Sequence, residues 1–266
     1  MFDTITKDTF SNILVDIPEL NTQLKIADFM SKIDNKIEIN EGINDNLREQ
    51  QLSIYFDYLE THSSIEVKLD ELVTKSNTGA DAIQKAPIVD YDTGIRCARV
   101  GDMSNNRPVH QWGYTKVTEE VYKQYKLYKD DILVTRTATL GLNTIMDKEY
   151  DAVYNNGLIR LQIDKNKAFP LLVYIQFQSK DFLNYISRIN GETSVRPNMK
   201  INYLLDYKFS IVDISKQEKI FNILEPLFIK QREIIFENEK LASLRDSLLP
   251  KLMSGEIDVS NINLDL

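Results

Sequence analysis

The feature that most restricts how this chain can fold is a long internal repeat. Gln23-Leu24-Lys25-Ile26 lies over Gln217-Glu218-Lys219-Ile220 at an offset of 194 residues; without a gap, Ile33 then meets Leu227, Asn44 meets Asn238, Leu47 meets Leu241 and Ile54 meets Leu248. Both copies place apolar residues at alternating steps of four and three. The first seam reads Ile26, Met30, Ile33, Ile37, Asn40, Asn44, Leu47, Gln51, Ile54, and the second Ile220, Leu224, Leu227, Gln231, Ile234, Asn238, Leu241, Arg245, Leu248. Sustained over about four heptads, this spacing specifies long helices that bury one stripe against each other as a coiled coil. Each is expected to run about 35–40 residues, or roughly 50–60 Å at 1.5 Å per residue. Asn44 and Asn238 occupy equivalent seam positions, and a buried polar pair there is expected to set the register at some cost in stability. Two amphipathic helices on one globular core is the plainer alternative, which the polar interruptions Asn40, Gln51, Gln231 and Arg245 favour. The length and matched recurrence of the pattern favour the coiled coil.

Asn21 or Thr22 is placed to cap the first helix, and Ser215 with Glu218 forms a capping-box pattern for the second. Between the helices the character changes. Ile65–Leu72, Ile95–Val100, Asp131–Thr135, Gly141–Met146 and Gly157–Ile163 are short runs rich in β-branched or aliphatic residues, separated by turn formers such as Asn155-Asn156-Gly157. Phe169–Ile189 reads as helical. The expected fold class is α+β: one globular domain with a twisted β-sheet, plus two long antiparallel coiled-coil helices. The expected segments are residues 19–62 for the first helix, 63–213 for the domain, 214–256 for the second helix and 257–266 for a C-terminal tail.

A net charge of −8 argues at first against a nucleic-acid partner. Its distribution softens that, because Glu66–Val212 carries 20 Lys or Arg against 18 Asp or Glu and the acid lies in the flanking helices. A single cysteine, Cys97, excludes an intrachain disulfide, and with only His62 and His110 beside it a metal site is not expected. No run approaches the roughly 18 apolar residues of a membrane helix, and the N-terminus has no signal-peptide pattern, so a cytoplasmic chain without membrane contact is expected. No phosphate-binding loop, nucleophile elbow, zinc-protease helix or amino-methyltransferase signature is present. Glu66-Val67-Lys68 beside Asp57 has the acidic-x-lysine form of a metal-dependent nuclease site, a triplet common by chance.

The closing motif LRDSLLPKLMSGEI (Leu244–Ile257), the glutamine-x-lysine-isoleucine step at both helix entrances, and GIRCARVGDM, YKDDILVTRTATLG and YNNGLIRLQ inside the domain carry a family resemblance. The chain resembles the specificity subunits of Type I restriction-modification systems, in a half-length form with one target-recognition domain. On that resemblance residues 1–18 are the tail of a truncated recognition domain. The implied function is to read one half of a bipartite double-stranded DNA target and to scaffold methyltransferase subunits and, through them, a restriction translocase. A homodimer or a second half-subunit would supply the other reader. The chain itself would be no enzyme and hold no cofactor, S-adenosylmethionine being bound by the partner methyltransferase. A nuclease, a coiled-coil interaction protein and an inhibitor mimicking a specificity subunit are the alternatives.

Polar and basic residues of turn-rich segments are the candidate DNA contacts, since arginine pairs with guanine and asparagine with adenine edges. They are Lys75, Asn77 and Thr78; Arg99, Asn105, Arg107 and His110; Arg136 and Thr137; Asn155 and Asn156; and Ser194, Arg196, Asn198 and Lys200. Each is equally readable as a solvated loop residue, and Asn155-Asn156-Gly157 as a plain turn. Trp112 and Tyr114 are expected in the core rather than on DNA.

Overall fold

The computed structural model describes residues 7–13, 17–192 and 197–258. The chain divides into two compact units, one formed by residues up to Arg48 together with those from Phe228 onward, the other by Glu49–Leu227. The boundary falls inside both long helices, which span Leu20–Thr61 and Ile214–Met253. At 42 residues the first slightly exceeds the expected length, and at 40 the second meets its upper end.

In the first unit the two helices pair. Asp34 meets Arg245 at 2.9 Å, Asn40 meets Asn238 at 2.8 Å, and the Asn44 carbonyl accepts from Gln231 at 3.0 Å. Numbers rise along one helix as they fall along the other, so the pair is antiparallel. Ile26, Phe29, Met30, Ile33, Leu241 and Leu252 form its buried core, with Ile37 and Leu248 packed against it. Removing such side chains from water is worth roughly 1.5–3 kcal/mol each, which is why the seam prevails over its polar interruptions. Ile234 is also buried and Leu47 half-buried.

The polar pair of the seam differs from expectation. Asn238 pairs with Asn40, not with Asn44, and its Nδ2 also donates to the Ile37 carbonyl at 3.3 Å. Asn44 contributes its carbonyl to Gln231, while its Oδ1 is buried without a partner among the described residues. Antiparallel packing staggers the copies by four residues, about one helical turn, which brings position 238 opposite 40. Gln231 and Asn238 are the repeat equivalents of Ile37 and Asn44. The Asn238–Ile37 and Gln231–Asn44 contacts are therefore the same pair of positions with the helices exchanged, an approximate internal two-fold.

The caps also differ. The helices start at Leu20 and Ile214, which places Asn21, Thr22 and Ser215 inside the first turns. At the second start the amides of Lys216 and Gln217 donate to the Asp213 carbonyl at 2.8 and 2.9 Å instead.

In the second unit the one expected sheet is three. β1 (Ser64–Lys68) and β10 (Lys208–Val212) form an antiparallel ribbon. β2 (Val73–Thr78), β6 (Ile132–Thr135), β7 (Asn143–Ile145) and β9 (Leu158–Ile163) form an antiparallel sheet in the order β2-β9-β6-β7. β3 (Ile88–Val89), β4 (Arg96–Ala98), β5 (Tyr114–Thr115) and β8 (Ala152–Tyr154) form another in the order β3-β5-β4-β8, with β4 and β8 parallel. β6 and β9 are almost wholly apolar and buried, as central strands covered on both faces must be. The expected strand Ile65–Leu72 stops at Lys68, where the Glu71 carboxylate takes the Lys68 amide at 3.0 Å and opens a short helix, Leu69–Leu72. The expected helix Phe169–Ile189 is two, Pro170–Gln176 and Lys180–Glu192; the Ser179 hydroxyl caps the second by accepting from the Phe182 amide. Within the second-unit stretches of the long helices, Ile220 is buried and Ile54 and Leu227 half-buried.

Candidate nucleic-acid interface

Four strand ends meet at one rim of the domain, and glycines explain how closely. After β2, Gly79 lies where a Cβ would fall 2.3 Å from the Tyr154 and Asn155 carbonyl oxygens, so no larger residue fits. Ala80 donates to the Tyr154 carbonyl at 2.9 Å and pairs with Asn155. After β4, the Ala98 carbonyl accepts from the Asn155 amide at 3.1 Å. After β6, Arg136 donates its amide to Gly157 at 2.9 Å, and Thr137 pairs with Asn198. After β8, the Asn155 carboxamide oxygen accepts from the Gly157 amide at 3.1 Å, closing a turn over its own backbone. Arg136, Thr137, Asn155, Asn156 and Asn198 are thereby brought together, with Lys200 one residue past Met199.

Within this cluster the side chains divide by how they are engaged. The half-buried Arg136 donates Nε to the Met199 carbonyl at 3.0 Å and Nη1 to the Asn156 carbonyl at 3.1 Å, stitching two loops together. Burial lowers its pKa from the ordinary arginine value, a reduction of a group that stays cationic at any physiological pH. Arg99 is spent similarly, on the Cys97 carbonyl at 3.0 Å and the Ala86 carbonyl at 3.4 Å. Asn156, Asn198 and Lys200 are exposed, although Asn156 also reaches Asp81 at 3.4 Å.

The other candidates are spread more widely. Asn105, Arg107 and His110 are exposed on the segment after β4; Asn105 donates to the Gly101 carbonyl, and Arg107 pairs at 3.5 Å with the nearly buried Asp102. Asp102 also accepts the Arg99 amide, which links this segment to the β4 end. Asn77 accepts from the buried Arg160 at 3.3 Å and Thr78 is half-buried beside it. Lys75 is exposed in mid-strand, opposite Gln162. Ser194 and Arg196 lie outside the described residues. Trp112 is buried with Nε1 on the Arg107 carbonyl at 2.9 Å, and Tyr114 is half-buried, as expected.

Two rim residues escaped the sequence reading. Asp81 caps the turn after Ala80, and hydrogen bonds from the Gln84 and Ile83 amides hold its carboxyl below the ordinary carboxylate range. Ala138, exposed at the tip after β6, has φ of 59°, a left-handed conformation that costs a non-glycine residue energy. The sequence Gly79-Ala80-Asp81 is a local turn pattern from which the first could have been found; no local pattern marks the second.

The acidic-x-lysine triplet does not assemble a metal site. Glu66 and Lys68 face Lys208 at 3.7 Å and Asp206 at 2.6 Å as ion pairs of the β1–β10 ribbon. Among the described residues no group of three His, Cys, Asp or Glu side chains is arranged to hold a metal ion, and no helix is long and apolar enough to cross a membrane.

Comparison with known proteins points in one direction. A family model described as the Type I restriction modification DNA specificity domain matches residues 2–49 and 64–244. The Type I restriction enzyme HindI specificity subunit of Haemophilus influenzae is 22% identical over 96% of this chain and 72% of its own length. The MjaIX specificity subunit of Methanocaldococcus jannaschii is 22% identical over 98% of this chain and 64% of its own. The crystal structure of a Type-I restriction-modification system S subunit from M. genitalium shares the fold, with a TM-score of 0.61 at 19% identity over 88% of this chain and 61% of that one. The chain thus spans about two thirds of the length of the relatives it matches.

Proposed function

Because the chain belongs to the family of Type I restriction-modification DNA specificity domains, we propose that it reads one half of a bipartite double-stranded DNA target as a non-catalytic specificity subunit. The observation that carries this reading is that the family match runs through both the domain and the paired helices, the two parts a reader on a spacer requires. The rim supplies a physical route. Backbone-clamped loops present exposed amides and a cation, Asn156, Asn198 and Lys200, the chemistry that base edges and phosphates accept. Arg136 and Arg99 act as loop clamps behind them.

On this reading methyltransferase subunits dock on the chain and bring S-adenosylmethionine with them, and a restriction translocase joins through them in the cytoplasm. The second half-site is read by another recognition domain, from a second copy or a companion chain. A near-neutral domain relies on few phosphate contacts, so its affinity is expected to depend only modestly on salt.

The test is a competition gel shift of the chain with its modification subunit against the target found by methylome sequencing. Asn156→Ala and Asn198→Ala are each expected to cost about 1–3 kcal/mol of discrimination at one base pair, and Lys200→Ala to weaken all sequences alike. Equal retention of target and scrambled DNA by the unaltered complex would overturn the reading.

A further inference from the structure

Between Ala80 and Pro87 the chain makes a turn held from inside by one aspartate. The Asp81 carboxylate accepts the Ile83 amide at 3.0 Å and the Gln84 amide at 2.7 Å, and its main-chain carbonyl accepts the amides of Lys85 and Ala86 at 3.1 and 2.8 Å. Both ends of the turn are anchored to the rim. Ala80 donates its amide to Tyr154 and accepts that of Asn156, and the Asn156 side chain also donates to Asp81 at 3.4 Å. At the far end Ala86 is buried, and its carbonyl accepts from Arg99 at 3.4 Å. A loop that spends every amide from Ile83 to Ala86 on one residue has little freedom to fold its tip back.

What this scaffold holds outward is Ile83, 84% exposed, the highest value among the described large apolar residues. Gln84 and Lys85 beside it are exposed as well. An isolated exposed aliphatic side chain is ordinary on a protein surface. This one stands on a pinned backbone that Asp81 ties to Asn156 of the rim, and an amide and a cation follow it directly. The acid of the turn is spent inward. Two main-chain amides and the Asn156 carboxamide meet the Asp81 carboxylate, so its charge is partly offset before any phosphate approaches.

We infer that this turn reads an A·T base pair, with Ile83 against the thymine methyl, Gln84 against the adenine edge and Lys85 on a flanking phosphate. The inference rests on the reading under Proposed function and adds to it the identity of one recognised pair. In the major groove an A·T pair sets the thymine C5-methyl beside the adenine N6 donor and N7 acceptor. A methyl group offers no hydrogen bond, so it is read by apolar contact alone, and Ile83 is the large apolar side chain that the turn extends. The Gln84 carboxamide donates to N7 and accepts from N6, a pattern that guanine, with two acceptors, does not offer. Adjacent residues on a fixed backbone suit two groups that one base pair holds at a fixed spacing, and the fixed backbone lowers the entropy lost on contact.

The test measures binding of the full chain with its modification subunit to the target found by methylome sequencing. Each thymine is replaced in turn by deoxyuridine, which removes only the methyl, and each adenine by 7-deazaadenine, which removes N7. At one thymine, deoxyuridine should weaken binding about fourfold, the loss of one buried methyl. Ile83→Ala should bind the thymine and deoxyuridine forms of that site equally. In the same base pair 7-deazaadenine should weaken binding about fivefold, a loss that Gln84→Ala abolishes. All other positions keep their sensitivities in both variants. Both side chains are exposed, so circular dichroism should stay unchanged. A thymine–deoxyuridine difference that survives Ile83→Ala at every position, no sensitive thymine at all, or dependences on Ile83 and Gln84 in different base pairs overturns the inference. Scrambled DNA is run alongside. Preference for the target with no Ile83-dependent thymine refutes the A·T assignment alone; no preference in the unaltered complex refutes the DNA reading and the assignment together.

Discussion

Single residues in this protein are mostly occupied in holding main chain. Arg136, Arg99 and Arg160 all direct their guanidinium groups at backbone carbonyls, and Arg160 does so while buried 3.6 Å from the buried Asp131. Replacing one partner of such a pair leaves a bare buried charge, so the pair is retained once formed. At the surface, Asp92 shows the opposite balance. The Tyr114 hydroxyl donates to it at 2.7 Å and the Gly94 amide at 2.7 Å, which lowers its pKa from the ordinary value. A depressed folded value means that this stabilisation is complete above the ordinary carboxylate range and is lost as pH falls through the folded value. Tyr114→Phe should therefore raise the Asp92 titration midpoint, followed by carboxyl NMR. A midpoint that does not move would assign the shift to another cause. These roles were invisible in the sequence, because an arginine clamping a carbonyl and an arginine facing DNA look the same until the loops around them are placed.

Among elements, the long helices were the most legible and the sheets the least. A 3.5-residue period repeated over four heptads states its own geometry, and the seam residues Ile26, Ile33, Ile234 and Leu241 are buried accordingly. The five expected strands fall on β1, β4, β6, β7 and β9, whereas β2, β3, β5, β8 and β10 had no expected counterpart, and the grouping into three sheets depends on pairings such as β2 with β9 that no local pattern records. The rim was legible as a set of segments, not as a set of contacts. The stagger that selects Asn40 over Asn44 was also hidden, since a heptad fixes which face is buried but not how far one helix slides along another. Asn40→Leu alone strands the Asn238 carboxamide oxygen and is expected to destabilise the chain by about 1–3 kcal/mol. Asn40→Leu with Asn238→Leu should recover most of that loss, as read by urea denaturation, while register is specified less sharply. Equal losses in the single and double variants would show that the pair contributes no coupling.

For the whole molecule, the proposed role makes helix length a measure of DNA. One extra heptad in each long helix adds about 10 Å. That should lengthen the unread spacer of the methylated target by about three base pairs at 3.4 Å each, with both half-sites unchanged. Methylome sequencing of the elongated variant checks this; an unaltered spacer would sever helix length from target geometry. Finally, the glutamines at the two helix entrances grip peptide oxygens, which every residue type supplies identically. Gln23 and Gln217 reach the same relative oxygen although one belongs to a proline and the other to a valine. A grip of this kind places no demand on its neighbour's identity. The residue five positions before each glutamine can therefore change identity without loss of the bond, and both helix entrances keep the same side-chain to main-chain contact on different local sequences.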